Sequence, residues 1–209
     1  MANVNAPFGF KPVRYLNGAP WNGQARYYNV NSGNGGALAV GDPVCTSGAA
    51  DTYGVMGVSI GIAGSPIRGV IVGTGTGIAT STATAGLGLP GGMGGNPTSQ
   101  QTTVIPATKA TDYYVLVVDD PQVIFWCMEQ YTGTAFTSAE AGLNCNFVAG
   151  ANNGYISQYV LDNGTEAVTA ALNVRLLGLA QIPNNTYGVG AIWEVMINNH
   201  ELRQGAVGV

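Results

Sequence analysis

Turn-forming residues divide this sequence into short apolar runs, and that division limits the folds the chain can adopt. Glycine alone supplies 32 of the 209 residues, and clusters of Gly, Pro, Asn and Asp separate the apolar runs. Glycine in a helix costs backbone entropy, and proline fixes φ and removes a hydrogen-bond donor, so long helices are disfavoured. The runs between the turns are rich in β-branched and aromatic residues, which favour strands. We therefore predict an all-β protein, an antiparallel β-sandwich or barrel of short strands.

Three turn clusters predict β-hairpins along the chain. Each places a turn rich in Gly, Pro, Asp or Asn between two apolar runs. The predicted pairs are Val55–Ile62 with Ile67–Gly73, Tyr113–Val118 with Gln122–Met128, and Ala171–Ile182 with Ala191–Asn198. A strand over Arg26–Asn31 precedes them, and Thr137 and Glu140 have the spacing of a capping box that opens one helical turn.

The second predicted hairpin is apolar on both of its faces. The run YYVLVV is followed, after a short turn, by VIFWCM, and neither alternates between polar and apolar residues. One face can cover the core of the domain, and the other requires a second sheet or another subunit. We therefore expect Phe125 and Trp126 to contact a partner. The same pattern predicts a homotrimer, with a dimer as the alternative.

The N-terminal segment 1–25 differs from the rest of the chain in charge and regularity. The first 41 residues carry three basic side chains and no acid, whereas the remainder carries four basic and eleven acidic side chains. Closely spaced proline and glycine oppose a helix or a central strand in this segment. Its aromatic content is nevertheless too high for a solvated tail. We therefore predict an extended docking arm over 1–25 and a β-rich body over 26–209.

The arm supplies most of the residues that we expect to contact a partner. Aromatic side chains anchor interfaces, and Lys or Arg pairs with the carboxylates of a partner. A segment so rich in proline and glycine offers these side chains no partners of its own. The predicted contacts in the arm are Phe8, Phe10, Lys11, Arg14 and Trp21.

Charged residues are scarce in this chain, at 9% of the sequence. A typical soluble domain has about 25%. The scarcity fits either a naturally neutral surface or a surface that is largely interface, and we favour the second because interface cores are depleted in charge.

Residues 74–111 contain a single charge, at Lys109, and are otherwise rich in Gly, Thr, Ser, Ala and Pro. Such a stretch makes too few contacts of its own to offset the entropy of ordering. We predict a long Gly/Thr/Pro-rich insert loop there, either mobile or ordered by a partner.

Several classes of function find little support in the sequence. Cys45, Cys127 and Cys145 have neither metal-site nor disulfide spacing. No signal-peptide pattern is visible, and no apolar run approaches the ~18 residues of a spanning helix. Seven basic residues are too few and too scattered for nucleic acid. We expect synthesis in a reducing cytoplasm, and no metal, cofactor, membrane or nucleic-acid partner.

Two short motifs match catalytic or nucleotide-binding patterns. Gly57–Gly61 matches G-x-S-x-G with Ser59 as the nucleophile, and His200 lies downstream. The glycine and proline of Gly64–Pro66 oppose the helix that this motif requires after it. Gly86–Gly91 matches G-x-G-x-x-G, but proline stands where a helix should open. We predict no catalytic residue and keep a serine esterase built on Ser59 and His200 as an alternative.

Phrases spread over most of the chain resemble structural proteins of tailed bacteriophages. They lie at Asn3–Gly23, at the Gly41–Val44 turn, at Asp119–Pro121 and at the closing Ile197–His200. Members of that group are similar to capsid cement or decoration proteins, which clamp neighbouring major capsid subunits after the shell expands. The resemblance implies a symmetric oligomer, most often a trimer, on the outside of the head, and it supplies no catalytic residues.

We therefore expect a non-enzymatic virion structural protein, made in the host cytoplasm and located on the outer surface of the capsid. Its partners would be the major capsid protein and copies of itself. The net acidic body would be repelled by a packaged genome, which favours an outer location. A tail or head–tail connector component is the alternative within the structural class. A secreted adhesin is disfavoured because no signal peptide is visible.

Overall fold

The computed structural model describes residues 3–76, 104–110, 112–149, 156–203, 205, 207 and 208. Within them the chain is all-β, and the predicted fold class is confirmed at that level. The strands are β1 (Lys11–Tyr15), β2 (Arg26–Val30), β3 (Leu38–Ala39), β4 (Pro43–Ala50), β5 (Met56–Ile60), β6 (Gly69–Thr76), β7 (Val104–Ile105), β8 (Tyr113–Val118), β9 (Val123–Met128), β10 (Asn144–Cys145), β11 (Phe147–Val148), β12 (Val160–Leu161), β13 (Val174–Leu179) and β14 (Ile192–Ile197).

Two larger sheets organise these strands. Five of them close into a barrel in the order β2-β5-β4-β6-β8, in which β2 and β5 are parallel and the other pairs are antiparallel. Five others form an antiparallel sheet in the order β1-β9-β14-β13-β10. Two-stranded ladders join β3 to β7 and β11 to β12. Closure of the barrel removes the exposed strand edges that invite aggregation.

One of the three predicted hairpins is confirmed. β13 and β14 pair in antiparallel register, with Val174 opposite Ile197 and Leu179 opposite Trp193. The predicted capping box also forms: Glu140 accepts from the Thr137 amide, and the Thr137 hydroxyl accepts from the Ala139 amide at the start of a single 3₁₀ turn.

The other two predicted hairpins are wrong. β5 and β6 do not pair, because β4 lies between them in the barrel. β8 and β9 do not pair either, since β8 belongs to the barrel and β9 to the five-stranded sheet. The turn at Asp119–Pro121 therefore carries the chain from one sheet to the other. A turn-rich sequence marks where strands end, but the partners of a strand depend on long-range packing.

The doubly apolar strands are covered by the chain itself. Ile71, Val115 and Val117 face the interior of the barrel, and Val70 and Val118 belong to the core against the five-stranded sheet. The wall formed by β6 and β8 thus has one core on each side. A second sheet, rather than a second subunit, accounts for the apolar pattern, so that pattern no longer argues for a trimer.

The predicted docking arm is wrong as a separate segment. Lys11–Tyr15 forms the edge strand β1, paired with β9. Phe10 is 3% exposed and makes edge-to-face contacts with Phe125 and Phe147, at ring-centroid distances of 6.3 and 6.0 Å. The free side of β1 is partly covered by a hydrogen bond from the Trp21 amide to the Val13 carbonyl. Proline is tolerated here because an edge strand need not donate on both sides.

The predicted insert loop 74–111 falls largely on residues 77–103 and 111, which lie outside the described residues. Its two described ends are partly regular, because β6 extends to Thr76 and β7 pairs with β3. The Lys109 ammonium donates to the carbonyls of Asn34, Gly36 and Ala107. Burial lowers the pKa of Lys109. The one charge of the predicted loop therefore attaches its C-terminal end to the turn after β2.

We expect Phe10→Ala to lower the free energy of unfolding by about 3–5 kcal/mol, because it leaves a cavity between Phe125 and Phe147. Val4→Ala, at a side chain 76% exposed in the same segment, is the control and should change it by less than about 0.5 kcal/mol. Urea denaturation followed by tryptophan fluorescence measures both. An unchanged midpoint for Phe10→Ala would mean that the N-terminal segment does not pack on the sheet in solution.

Candidate interaction groove

An apolar groove lies where the N-terminal segment crosses between the barrel and the five-stranded sheet. Its volume is about 540 Å³, within the usual range of ligand and peptide sites. Both sheets, the segment before β1 and four connecting segments contribute to it. The groove is lined by Phe8, Phe10, Lys11, Pro12, Trp21, Val40, Gly41, Ile71, Val72, Trp126, Ile156, Ile182 and Ile192.

Close backbone approaches bring the N-terminal segment to the floor of the groove. Gly9 has a φ of +71°, and a Cβ added there would lie 2.4 Å from Ser157 Cβ and 2.5 Å from the Gly41 carbonyl oxygen. Only glycine fits such a position. The Phe10 amide donates to the same Gly41 carbonyl at 2.9 Å, and the Gly41 amide donates to Ile71 at 2.8 Å. Three segments are thereby fixed side by side.

A buried carboxyl, that of Asp42, stabilises the crossing of these segments. Asp42 is 3% exposed and accepts a hydrogen bond from the Ala39 amide at 2.7 Å and one from the Ser157 side chain. Burial raises the pKa of Asp42 to about 6, and the two hydrogen bonds oppose that rise. The Ser157 side chain also lies against Gly9, so Asp42 is coupled to the position of the N-terminal segment.

The rim of the groove carries a cation without an ion-pair partner in the described part of the chain. The Lys11 ammonium lies 5.9 Å from the centroid of the Trp126 ring. A lysine over a tryptophan face is held by a cation–π attraction. Arg14, three residues later, instead pairs with Glu194 at 2.5 Å. Among the described residues that line the groove, Lys11 is the one that carries a charge.

The structure brings five of the seven predicted contact residues together in this groove: Phe8, Phe10, Lys11, Trp21 and Trp126. Three predictions are corrected. Phe10 is 3% exposed and packs against Phe125 and Phe147 in the core, so it offers almost no surface to a partner. Phe125 is 1% exposed and packs in the core, because its neighbour Trp126 takes the opposite face of β9. Arg14 is not free for a partner's carboxylate, because its guanidinium already forms an ion pair with Glu194.

Six aliphatic residues of the groove were not predicted from the sequence: Val40, Ile71, Val72, Ile156, Ile182 and Ile192. They come from β6, from β14 and from three loops. No local pattern distinguishes them from core residues, because they come together around one groove only when the two sheets are placed together.

The residues of the alternative esterase do not form a catalytic pair. Ser59 lies on β5, its hydroxyl 3.4 Å from the Cys45 thiol, and no hydrogen bond joins it to His200. The chain continues from β5 into a turn at Ile62–Ser65, so the helix of the motif is missing at this point. His200 is 3% exposed, and its Nδ1 accepts from the Leu202 amide. Burial, with Arg68 and Arg203 nearby, lowers the pKa of His200 to about 4.

A buried polar cluster joins the barrel to the turn between the sheets. The Arg68 Nε donates to the Tyr28 hydroxyl at 2.7 Å, and that hydroxyl donates to Asp119 at 2.7 Å. Arg68 and Arg26 each lie 3.5 Å from Asp119. Burial, aided by Asp119, raises the pKa of Tyr28 to about 12. The cluster is saturated by its own members, which fits a structural role.

A second buried carboxylate, Glu129, was missed in the sequence because it follows an apolar strand without a charged neighbour. It is 0% exposed and accepts from the Phe136 amide, the Asn163 side-chain amide and the Trp193 indole at 2.9, 3.1 and 3.2 Å. Burial raises its pKa, and the three donors oppose the rise. Glu129 thus joins the three segments that carry Phe136, Asn163 and Trp193.

The described residues hold no group of three or more His, Cys, Asp or Glu side chains that could bind a metal ion. Cys127 and Cys145 are buried free thiols, and burial raises the pKa of each. No helix in the described part of the chain is long and apolar enough to cross a membrane. Comparisons with family models, curated proteins and solved structures found no match.

Asp42→Asn should remove one specific pH dependence of stability. Because the pKa of Asp42 is about 6 in the folded protein and 3.8 ordinarily, the folded state binds the proton more tightly. The contribution of Asp42 to stability is therefore present below pH 4 and lost as the pH rises through 6. That loss is about 2–3 kcal/mol in the wild type and absent in the variant. Urea unfolding of both proteins at pH 4, 5, 6 and 7 measures it, and parallel pH profiles would contradict it.

Ser59 should not react with a fluorophosphonate probe in the folded protein. Its hydroxyl contacts a thiol rather than an imidazole, so nothing activates it as a nucleophile. Intact-mass spectrometry of wild-type protein and Ser59→Ala after incubation provides the measurement. Labelling of the wild type alone would establish the hydrolase alternative.

Proposed function

We propose that this protein is a non-enzymatic structural protein of a tailed-phage virion that clamps neighbouring major capsid subunits on the outside of the head. The supporting observation is the apolar groove, in which four side chains that are at least partly exposed and were expected to contact a partner converge: Phe8, Lys11, Trp21 and Trp126. Tryptophan is among the residue types that form hot spots at protein interfaces, and the groove presents two of them, with the unpaired Lys11 at its rim.

The chemistry of the groove favours a protein as the partner. Trp21, Trp126, Ile182 and Ile192 are each half-buried, so the groove is open to solvent along its length. Exposed aromatic and aliphatic side chains that line one depression are typical of interaction sites. The low overall charge of the chain fits a protein whose surface is covered in an assembly.

The assignment to a phage head rests on the resemblance of the sequence to decoration proteins. Modest contacts repeated by symmetry over a shell add up to a large stabilisation, so one groove per subunit is enough for a clamp. We include in this proposal a symmetric oligomer, most often a trimer in that group. Its support is the resemblance alone, since the apolar strands are covered within one chain. Light scattering of the purified protein measures this state.

Two alternatives remain distinct from this proposal. A tail or head–tail connector component would use the same groove against a different ring of subunits. The number of copies in a purified virion separates it from a decoration protein, because a clamp is present at a stoichiometry comparable to that of the shell subunits. The serine esterase built on Ser59 and His200 is disfavoured because the Ser59 hydroxyl contacts the Cys45 thiol and no hydrogen bond joins it to His200.

Trp126→Ala and Trp21→Ala should each weaken binding to particles that lack this protein. Truncation of an aromatic anchor costs about 2 kcal/mol or more, which is roughly a thirtyfold loss of affinity. Tyr53→Ala removes an aromatic side chain that is 79% exposed and outside the groove, and it should bind as wild type does. Co-sedimentation with the particles and counting of bound copies gives the affinities. Equal occupancy by all four proteins would exclude the groove as the attachment site.

A further inference from the structure

The lining of the groove has an uneven chemistry that restricts what it can bind. Its walls are aromatic and aliphatic, and of the lining residues that the structure describes only Lys11 is charged. Both indole N–H groups already have acceptors in the chain: Trp21 donates to the Gln24 carbonyl at 3.2 Å, and Trp126 lies 3.5 Å from Glu194. The groove therefore offers an apolar surface with one positive charge at its rim and few other polar groups.

Resting on the proposed function, we propose that the groove binds an extended peptide segment of a partner protein in which an Asp or Glu adjoins a bulky apolar residue or proline. The carboxylate pairs with Lys11, and the apolar residue packs against Trp21 and Trp126. This specifies the kind of sequence that the clamp recognises on the neighbouring subunit.

Charge complementarity supports an acidic residue in the bound segment. The Lys11 ammonium is fixed near Trp126 but has no carboxylate within 4 Å in the described residues. Arg14 on the same strand has its carboxylate in Glu194, so the chain neutralises one of its two β1 cations and leaves the other open. A charged side chain at the edge of an apolar site selects an opposite charge and sets the register of binding.

The shape and polarity of the groove favour a peptide over other ligands. A sugar requires several hydrogen-bonding side chains, and the walls offer almost none. A site for an acyl chain usually encloses it. Here four of the side chains in the wall, those of Trp21, Trp126, Ile182 and Ile192, are only half-buried. Aromatic side chains beside Pro12 form the flat surfaces on which extended, proline-containing segments dock. A second copy of this chain is also a peptide source, and the experiment separates it.

The test is a selection of random twelve-residue peptides displayed on a carrier, using the full-length protein immobilised through a terminal tag. Wild-type protein should enrich peptides with Asp or Glu next to Leu, Ile, Trp or Pro. Lys11→Glu should reverse the preference to Lys or Arg at the same position. Arg175→Glu reverses a charge on β13, outside the lining of the groove, and should select the same peptides as wild type.

Affinities of synthetic copies of the selected peptides give the second measurement. Replacing the acid by Asn or Gln should weaken binding to the wild type about two- to fivefold, as for an exposed ion pair, and high salt should remove that difference. Trp126→Ala should weaken every selected peptide about thirtyfold or more. Far-ultraviolet circular dichroism of each variant verifies that it is folded.

The proposal fails on any of four results. Peptides that Trp126→Ala still binds would place the site elsewhere, and peptides without acid enrichment would exclude the role of Lys11. If the selection enriched no peptide and the protein bound palmitate, the ligand of the groove would be an acyl chain rather than a peptide. Groove-dependent self-association at micromolar concentration, with no enriched peptide, would make a second copy the occupant.

Failure of this proposal is distinguishable from failure of the proposed function. Particle binding that depends on Trp126 without any peptide preference would leave the clamp intact and reject the recognition rule. Peptide selection as expected, with no copies of the protein in virions, would keep the recognition rule and reject the clamp.

Discussion

The rest of the structure depends on the wall formed by β6 and β8, because it has a hydrophobic core on each side. Val115 and Val117 fill the barrel, and Val118 packs toward the five-stranded sheet. Since successive side chains of a strand point to opposite faces, a strand that is apolar throughout can serve two cores at once. A chain with few charges can therefore build two packed units without a helix between them. The barrel wall packs against the five-stranded sheet, and the N-terminal segment packs against that sheet in turn through Phe10 and Phe125.

The few buried charged residues in the described part of the chain lie where separate segments meet, and each forms hydrogen bonds or ion pairs with more than one segment. Lys109 binds three carbonyl oxygens, Glu129 binds three N–H donors, and Asp119 is held by Tyr28 and two arginines. Removing one partner of such a group leaves a buried polar atom unpaired, which costs more than the hydrogen bond contributes. Their positions are consequently specified more strictly than those of apolar neighbours, which can repack.

The sequence predicted the β class, the β13–β14 hairpin and the capping box at Thr137, because each depends on residues near one another in the chain. It failed where pairing is long-range. The turn at Asp119–Pro121 has the composition of a hairpin turn, yet β8 and β9 belong to different sheets. The same limit explains the groove. Trp21, Lys11 and Trp126 stood out by residue type, but Ile182 and Ile192 join them only through tertiary packing.

The error over the N-terminal segment changes how a clamp of this kind would act. A docking arm that became ordered only on the shell would lose affinity in proportion to the entropy of its ordering. Here Phe10 anchors the segment in the core, and Gly9 and Gly41 fix its path. The groove is therefore formed within the chain itself, so in the proposed complex most of the ordering would fall on the partner's segment. Because symmetry would repeat the contact many times over a shell, the proposed clamp requires only moderate affinity at each groove, and a single misplaced copy could still dissociate.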